Sequence, residues 1–305
     1  MTAEGIIVAA FGRQYLVEHP DRSTRLCFPR GKRSELACGD HVRVAATADA
    51  QGVIEKVIER RSLLYRSNEF RQKLIAANVT QIVIVVATEP SFSDTLITRC
   101  LVAAESQDIK PLIVLNKSDI AGGLAQAREM LAPFDALGYR IVELSAINSA
   151  AALRPHLQDE TSVLVGQSGM GKSTLTNALI PDACAATREI SDALDSGKHT
   201  TTHARLYHLD ASSALIDSPG LQEFGLRHLD VASLEAGFPE FRALLGQCRF
   251  RDCRHDREPG CALREALANG RIDPRRFACY REMRAELTDR AGRSDRPGAL
   301  QRGRP

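Results

Sequence analysis

At 305 residues with 44% hydrophobic side chains, the chain is too long for one ordinary core and too apolar for a disordered one, so two or three packed domains are expected. No apolar run approaches the roughly 18 residues a membrane-spanning helix needs, and the start MTAEGIIVAAFGRQ lacks a secretory pattern, which points to the cytoplasm and away from a membrane. Net charge is only +2, yet residues 1–75 carry 13 Lys+Arg against 9 Asp+Glu, residues 76–221 carry 10 against 16, and residues 222–305 carry 17 against 13; an acidic middle between basic ends fits a nucleotide-processing centre with polyanion-binding flanks, as well as an ordinary solvated surface.

The first 60 residues read as five short β-runs, Gly5–Phe11, Gln14–Glu18, Arg25–Phe28, His41–Ala45 and Gly52–Ile58, punctuated by Pro29, Gly31, Gly39–Asp40 and Gly52. They suit a small β-barrel over residues 1–65. An oligonucleotide-binding (OB) barrel is the natural candidate, and an SH3-like barrel fits the count equally.

Near residue 78 the pattern changes. Gln81–Ala87 (QIVIVVA) is a continuous apolar run, as expected of a parallel strand buried on both faces. Helical Ser91–Gln107, strand Pro111–Leu115, helical Gly122–Leu137, strand Arg140–Leu144, helical Asn148–Leu157, strand Thr161–Val165, helical Lys172–Leu179 and strands Leu206–Leu209 and Ala214–Ile216 follow. Such alternation predicts an α/β fold, a doubly wound sheet spanning residues 75–222 with its ligand site at the carboxyl ends of the strands. An arginine-rich, helical segment is expected over 223–290, and a Gly/Pro/Arg-rich disordered tail over 291–305.

Gly166–Thr174, GQSGMGKST, follows an apolar strand and opens a helical pattern, the context a phosphate-binding loop requires. Gly166, Gly169 and Gly171 let the backbone of Gln167, Ser168 and Met170 wrap a polyphosphate, N–H groups inward, at a helix N-terminus that carries partial positive charge. Lys172 is expected at the β/γ-phosphates, the Ser173 hydroxyl on Mg²⁺, and Thr174 in the first helical turn beside them.

Asn116–Asp119, NKSD, ends the strand PLIVL. A carboxylate at Asp119 accepts two hydrogen bonds from guanine N1–H and the exocyclic amine, donors that adenine lacks, and burial of Asp119 would make the mismatch costly. Asn116 would brace the loops, the Lys117 stem would lie along the base, and Ser118 completes the turn. Ser145–Ala146, after RIVEL, offers a backbone N–H to guanine O6. Asp217–Gly220, DSPG, ends a further strand; Asp217 would hold Mg²⁺ through water and the Gly220 N–H would sense the γ-phosphate. Between that motif and the phosphate loop lies GKHTTTH, where Thr201, with Thr200 and Thr202 as rivals, would complete the Mg²⁺ shell. Leu221 stands where many GTPases place a water-orienting glutamine, so intrinsic hydrolysis should be slow and His199 is the local candidate to assist.

Cys248, Cys253, His255 and Cys261 cluster in the arginine-rich segment. Three thiolates and an imidazole suit one tetrahedral, structural Zn²⁺ with no open position.

The guanine-reading NKSD and Ser145–Ala146 precede the phosphate loop, the reverse of the usual order, which a circular permutation explains. In this order, with GQSGMGKST, GKHTTTH, DSPG, the Cys/His spacing, Arg30–Lys32 (RGK) and Gly39–Asp40, the chain closely resembles the ribosome-small-subunit-dependent GTPase A family (RsgA, YjeQ, EngC) from residue 5 to about 285. The resemblance implies an OB-fold, a circularly permuted P-loop GTPase domain and a C-terminal zinc domain. It also implies binding to the 30S subunit late in its maturation, GTPase stimulation by that subunit, release of assembly factors, and a catalytic part for His199; GTP and GDP as ligands, 16S rRNA as a partner and a monomeric state are expected alongside. A GTP-dependent switch acting on a non-ribosomal partner is the alternative.

Overall fold

The computed structural model describes residues 2–31, 35–47, 51–67, 72–180, 204–218, 226 and 229–294. Two compact units divide the chain, residues 1–226 and 227–305.

The first unit begins with strands β1 (Thr2–Phe11), β2 (Gln14–Glu18), β3 (Thr24–Pro29), β4 (His41–Ala46) and β5 (Gly52–Val57). They run in the order β1-β2-β3-β5-β4, with β4 pairing back onto β1 to close a five-stranded OB-type barrel. Alternation puts Ile7, Tyr15, Val17, Cys27, Val42, Val44 and Ile54 inside it. Gly39 lies at φ +90°, where an added Cβ would run into the Ala77 carbonyl oxygen. The adjacent Asp40 is fully buried and held by the Arg60 guanidinium at 2.6 and 2.7 Å and by the Ala37 N–H at 2.8 Å.

A hairpin that the sequence pattern does not reveal, β6 (Leu63–Ser67) and β7 (Gln72–Ala77), leads from the barrel into the α/β layer. That layer contains β8 (Gln81–Ala87), α1 (Asp94–Glu105), β9 (Lys110–Asn116), α2 (Ala121–Ala136), β10 (Ile141–Glu143), β11 (Thr161–Val165), α4 (Lys172–Leu179), β12 (Arg205–His208) and β13 (Ala214–Asp217). The expected helix at 148–157 is instead a 3₁₀ turn, Ala151–Leu153, and the single turn α3, Arg154–Leu157; Pro155 lacks the N–H an uninterrupted helix would use there. Strands β10-β9-β8-β11-β13 are parallel neighbours and β12 adds antiparallel. Every residue of β8 is buried, because helices cover both faces of a parallel sheet. The barrel is continuous with this sheet: β1 pairs with β12 through Ala9 and Arg205, and Ala10 N–H donates to the Ala204 carbonyl at 3.3 Å.

The second unit holds α5 (Val231–Ala236), α6 (Pro239–Arg242), α7 (Ala262–Ala268) and α8 (Pro274–Ser294). Asp230 caps α5 by accepting from Ser233 N–H at 2.7 Å. Phe238, Phe241, Phe277 and Tyr280 form an aromatic core with ring centroids 4.7–6.2 Å apart. Beside it the Arg276 guanidinium is buried against Glu240 at 2.5 and 3.0 Å. The last helix runs to Ser294, four residues into the segment read as tail. Among the described residues no helix is long and apolar enough to cross a membrane.

Candidate functional site

The separated motifs meet at the carboxyl ends of the parallel strands. NKSD follows β9, Ser145–Ala146 lies two residues beyond β10, the phosphate-loop motif joins β11 to α4, and Asp217 ends β13.

One buried side chain stitches three of them together. Asn116 is 1% exposed. Its Nδ2 donates to the Met170 carbonyl of the phosphate loop at 2.9 Å, and its Oδ1 accepts from the Ala146 N–H at 2.9 Å. Gly171 lies at φ +86°, and a Cβ there would collide with Asn116 Nδ2; glycine is required both for the backbone angle and for the close approach. The loop's opposite wall is the cis Glu89–Pro90 segment, whose ring lies 3.3 Å from where a Gly169 Cβ would stand. Lys117 sits at φ +59° and its ammonium donates to the Glu89 carbonyl at 2.8 Å, while Thr88 Oγ1 donates to the Lys117 carbonyl at 3.0 Å. Thr88 and Glu89 are supports that sequence reasoning missed; they lie in a strand-end turn with no motif of its own.

Lys172 Nζ donates to the Gly166 and Gln167 carbonyls at 2.5 and 2.8 Å. Burial lowers the Lys172 pKa, opposed by the charge of Asp217. Burial correspondingly raises the Asp217 pKa, opposed by Lys172. Lys172 and Asp217 are thus close enough for each charge to act on the other. Ser168, Ser173 and Thr174 are exposed at the loop and first turn of α4, open to a ligand. Two polar atoms here are buried with no hydrogen-bond partner, Ser145 Oγ and Gln167 Oε1.

Asp119 departs from expectation. It is exposed rather than buried. An isolated buried carboxylate would be costly, so protein alone does not desolvate it, and any discrimination must arise when a base covers it. His199, Thr201, Gly220 and Leu221 lie outside the described residues.

The second unit gathers Cys248, Cys253, His255 and Cys261, whose ligand atoms all lie within 4.8 Å of one another. Cys248 Sγ is 3.9 Å from Cys261 Sγ, and His255 Nδ1 is 3.5 and 3.3 Å from those two sulfurs. Tetrahedral bonds of about 2.3 Å to sulfur and about 2.0 Å to nitrogen imply separations of about 3.8 and 3.5 Å, so the donors fit an ion of zinc's size and preference. Burial pushes the Cys253 thiol up to about 12, a proton that metal binding must displace. His255 stands at φ +60°, a backbone angle unusual for a non-glycine residue.

A family model described as RsgA GTPase matches residues 57–227. The chain is 55% identical over 283 residues to the small ribosomal subunit biogenesis GTPase RsgA of Nitrosospira multiformis, covering 93% of this chain and 90% of that one. It is 56% identical over 286 residues to the protein of the same name from Burkholderia pseudomallei, covering 92% and 91%. Among solved structures, YjeQ from Thermotoga maritima matches with a TM-score of 0.71 at 30% identity, over 94% of this chain and 99% of that one. YloQ, described as a circularly permuted GTPase, matches with a TM-score of 0.70 at 28% identity, over 98% of both.

Proposed function

The chain belongs to the RsgA GTPase family, and from that premise we propose that it hydrolyses GTP to GDP and phosphate on the small ribosomal subunit, acting in the cytoplasm as a monomer during late maturation of that particle. The observation that carries the nucleotide reading is Asn116, which binds the phosphate loop and the Ser145–Ala146 turn at once. A guanine base seated by Asp119 and Lys117 beside the Ser145–Ala146 turn then has its phosphates on the Gly166–Thr174 loop.

In this reading the Lys172 ammonium exchanges its two loop carbonyls for β/γ-phosphate oxygens. Ser173 and Thr201 would ligate Mg²⁺, Asp217 would hold it through water, and the Gly220 N–H would meet the γ-phosphate. When bound, the ion would supply charge neutralisation during phosphoryl transfer. With Leu221 beyond Gly220, no side chain at that place can align water by hydrogen bonding. His199 takes that part, and the unassisted rate is on the order of 10⁻⁴ to 10⁻² s⁻¹. One structural Zn²⁺ would be held by Cys248, Cys253, His255 and Cys261. Contacts with 16S rRNA by the barrel and the arginine-rich second unit are phosphate-driven and weaken steeply with salt.

The test is GTP cleavage with and without purified small subunits, with ATP as the control nucleotide. Stimulation specific to GTP is expected. A rate unchanged by the subunits, with a non-ribosomal protein captured instead, would overturn the ribosomal reading and favour a switch for another partner.

A further inference from the structure

His255 has two ring nitrogens with different surroundings. Nδ1 faces the Cys248 and Cys261 sulfurs at 3.5 and 3.3 Å. Nε2 faces Glu235 Oε1 on α5 at 3.5 Å, with the imidazole 8% and the carboxylate 15% exposed. The same Oε1 accepts from Tyr280 Oη on α8 at 2.7 Å. Tyr280 is fully buried, edge-on to Phe238 and Phe241. The chain is therefore continuous from the sulfur cluster, through a histidine, a carboxylate and a phenol, into the aromatic core of the unit.

An ionised carboxylate only accepts hydrogen bonds, so the nitrogen that faces it carries the proton and the opposite nitrogen keeps its lone pair. We propose that Glu235 and Tyr280 are the positioning residues of the metal site: Glu235 holds His255 with Nδ1 presented to the ion, and Tyr280 holds Glu235. This rests on the reading of Cys248, Cys253, His255 and Cys261 as a zinc site. A histidine ligand at φ +60° sits on a backbone that resists the placement, which makes an external clamp on its ring useful. Helix α8 also grips the same loop independently, through Arg281 to Asp256 at 2.9 Å and through Arg284 to the Arg254 carbonyl. Metal occupancy is thereby tied to the seating of α8, and not only to the loop that supplies the sulfurs.

The experiment measures zinc affinity of the full-length chain by competition with a chromophoric chelator, and the visible bands of the Co²⁺-substituted protein, for wild type, Glu235→Ala, Glu235→Gln, Tyr280→Phe and Glu240→Gln. Loss of an outer-shell partner weakens metal binding by about 10–100-fold. That loss is expected for Glu235→Ala, with altered Co²⁺ bands. Glu235→Gln keeps an acceptor oxygen and recovers part of the affinity. Tyr280→Phe keeps the ring packing and still weakens zinc several-fold. Glu240→Gln is the structural control, because it breaks the buried Arg276 pair without touching His255; its zinc affinity and Co²⁺ bands stay at wild-type values while its melting temperature falls. Should Glu235→Ala fail to fold, Glu235→Gln and Tyr280→Phe decide the matter alone. Unchanged zinc affinity and Co²⁺ bands in the Glu235 and Tyr280 variants, or an equal loss in Glu240→Gln, overturn the proposal while leaving the zinc site standing. A wild-type chain that takes up no zinc overturns both.

Discussion

Replacing Asn116 by alanine removes a donor and an acceptor from a place that is 1% exposed. The Met170 carbonyl and the Ala146 N–H, each bonded to Asn116 at 2.9 Å, lose those partners together. A buried polar group left unpaired costs about 1–3 kcal/mol. Two such groups cost about 2–6 kcal/mol, and water entering the vacated side-chain volume trims this to about 2–4 kcal/mol. Where the loops separate without the unit unfolding, the loss appears in nucleotide binding, at tenfold per about 1.4 kcal/mol, or about 30-fold or more. Where they stay together, it appears in stability, at about 2–4 °C of melting temperature per kcal/mol in a unit of this size. Titration with a fluorescent GDP analogue and thermal unfolding of the same samples read both channels. Asn116→Asp separates the two links, since it keeps an acceptor for Ala146 but sets a carboxylate against the Met170 carbonyl. An Asn116→Ala protein with GDP affinity within about threefold of wild type and an unshifted melting temperature would refute the bracing argument.

Asp119→Asn should leave stability unchanged, because the side chain is exposed. It should cost about 1–3 kcal/mol of GTP affinity and shift preference toward xanthine nucleotides, whose 2-oxo group accepts from an amide; competition binding checks this. Gly39→Ala should destabilise the first unit by about 2–4 kcal/mol in denaturant titration, since it combines a left-handed backbone angle with a clash on the Ala77 carbonyl. Chelation of the metal should raise hydrogen exchange across residues 229–294 and leave residues 72–180 and GDP binding unaffected, as expected if the two compact units unfold independently; loss of GDP binding on chelation would contradict it.

The motifs were legible in the sequence because their chemistry is local. A phosphate loop needs its glycines, lysine and serine within nine consecutive residues, and QIVIVVA betrays a doubly buried strand by its own composition. Strand β11 and helix α4 have the bounds read from the pattern. The hairpin β6–β7 was not legible, because it carries neither a tight-turn signal nor clean alternation. Exposure of Asp119 is not legible for a related reason: a motif names the residue type but not what stands over it.

By itself, then, the sequence determined the alternation of strand and helix, the identity of the chemical groups and their rearranged order along the chain, since these depend on residues near one another. Tertiary structure alone decided that Asn116 joins Met170 to Ala146 across separations of 54 and 30 residues, and that Glu235 and Tyr280 stand behind His255. Those contacts depend on how strands stack side by side and helices pack, which no local pattern of hydrophobic spacing encodes.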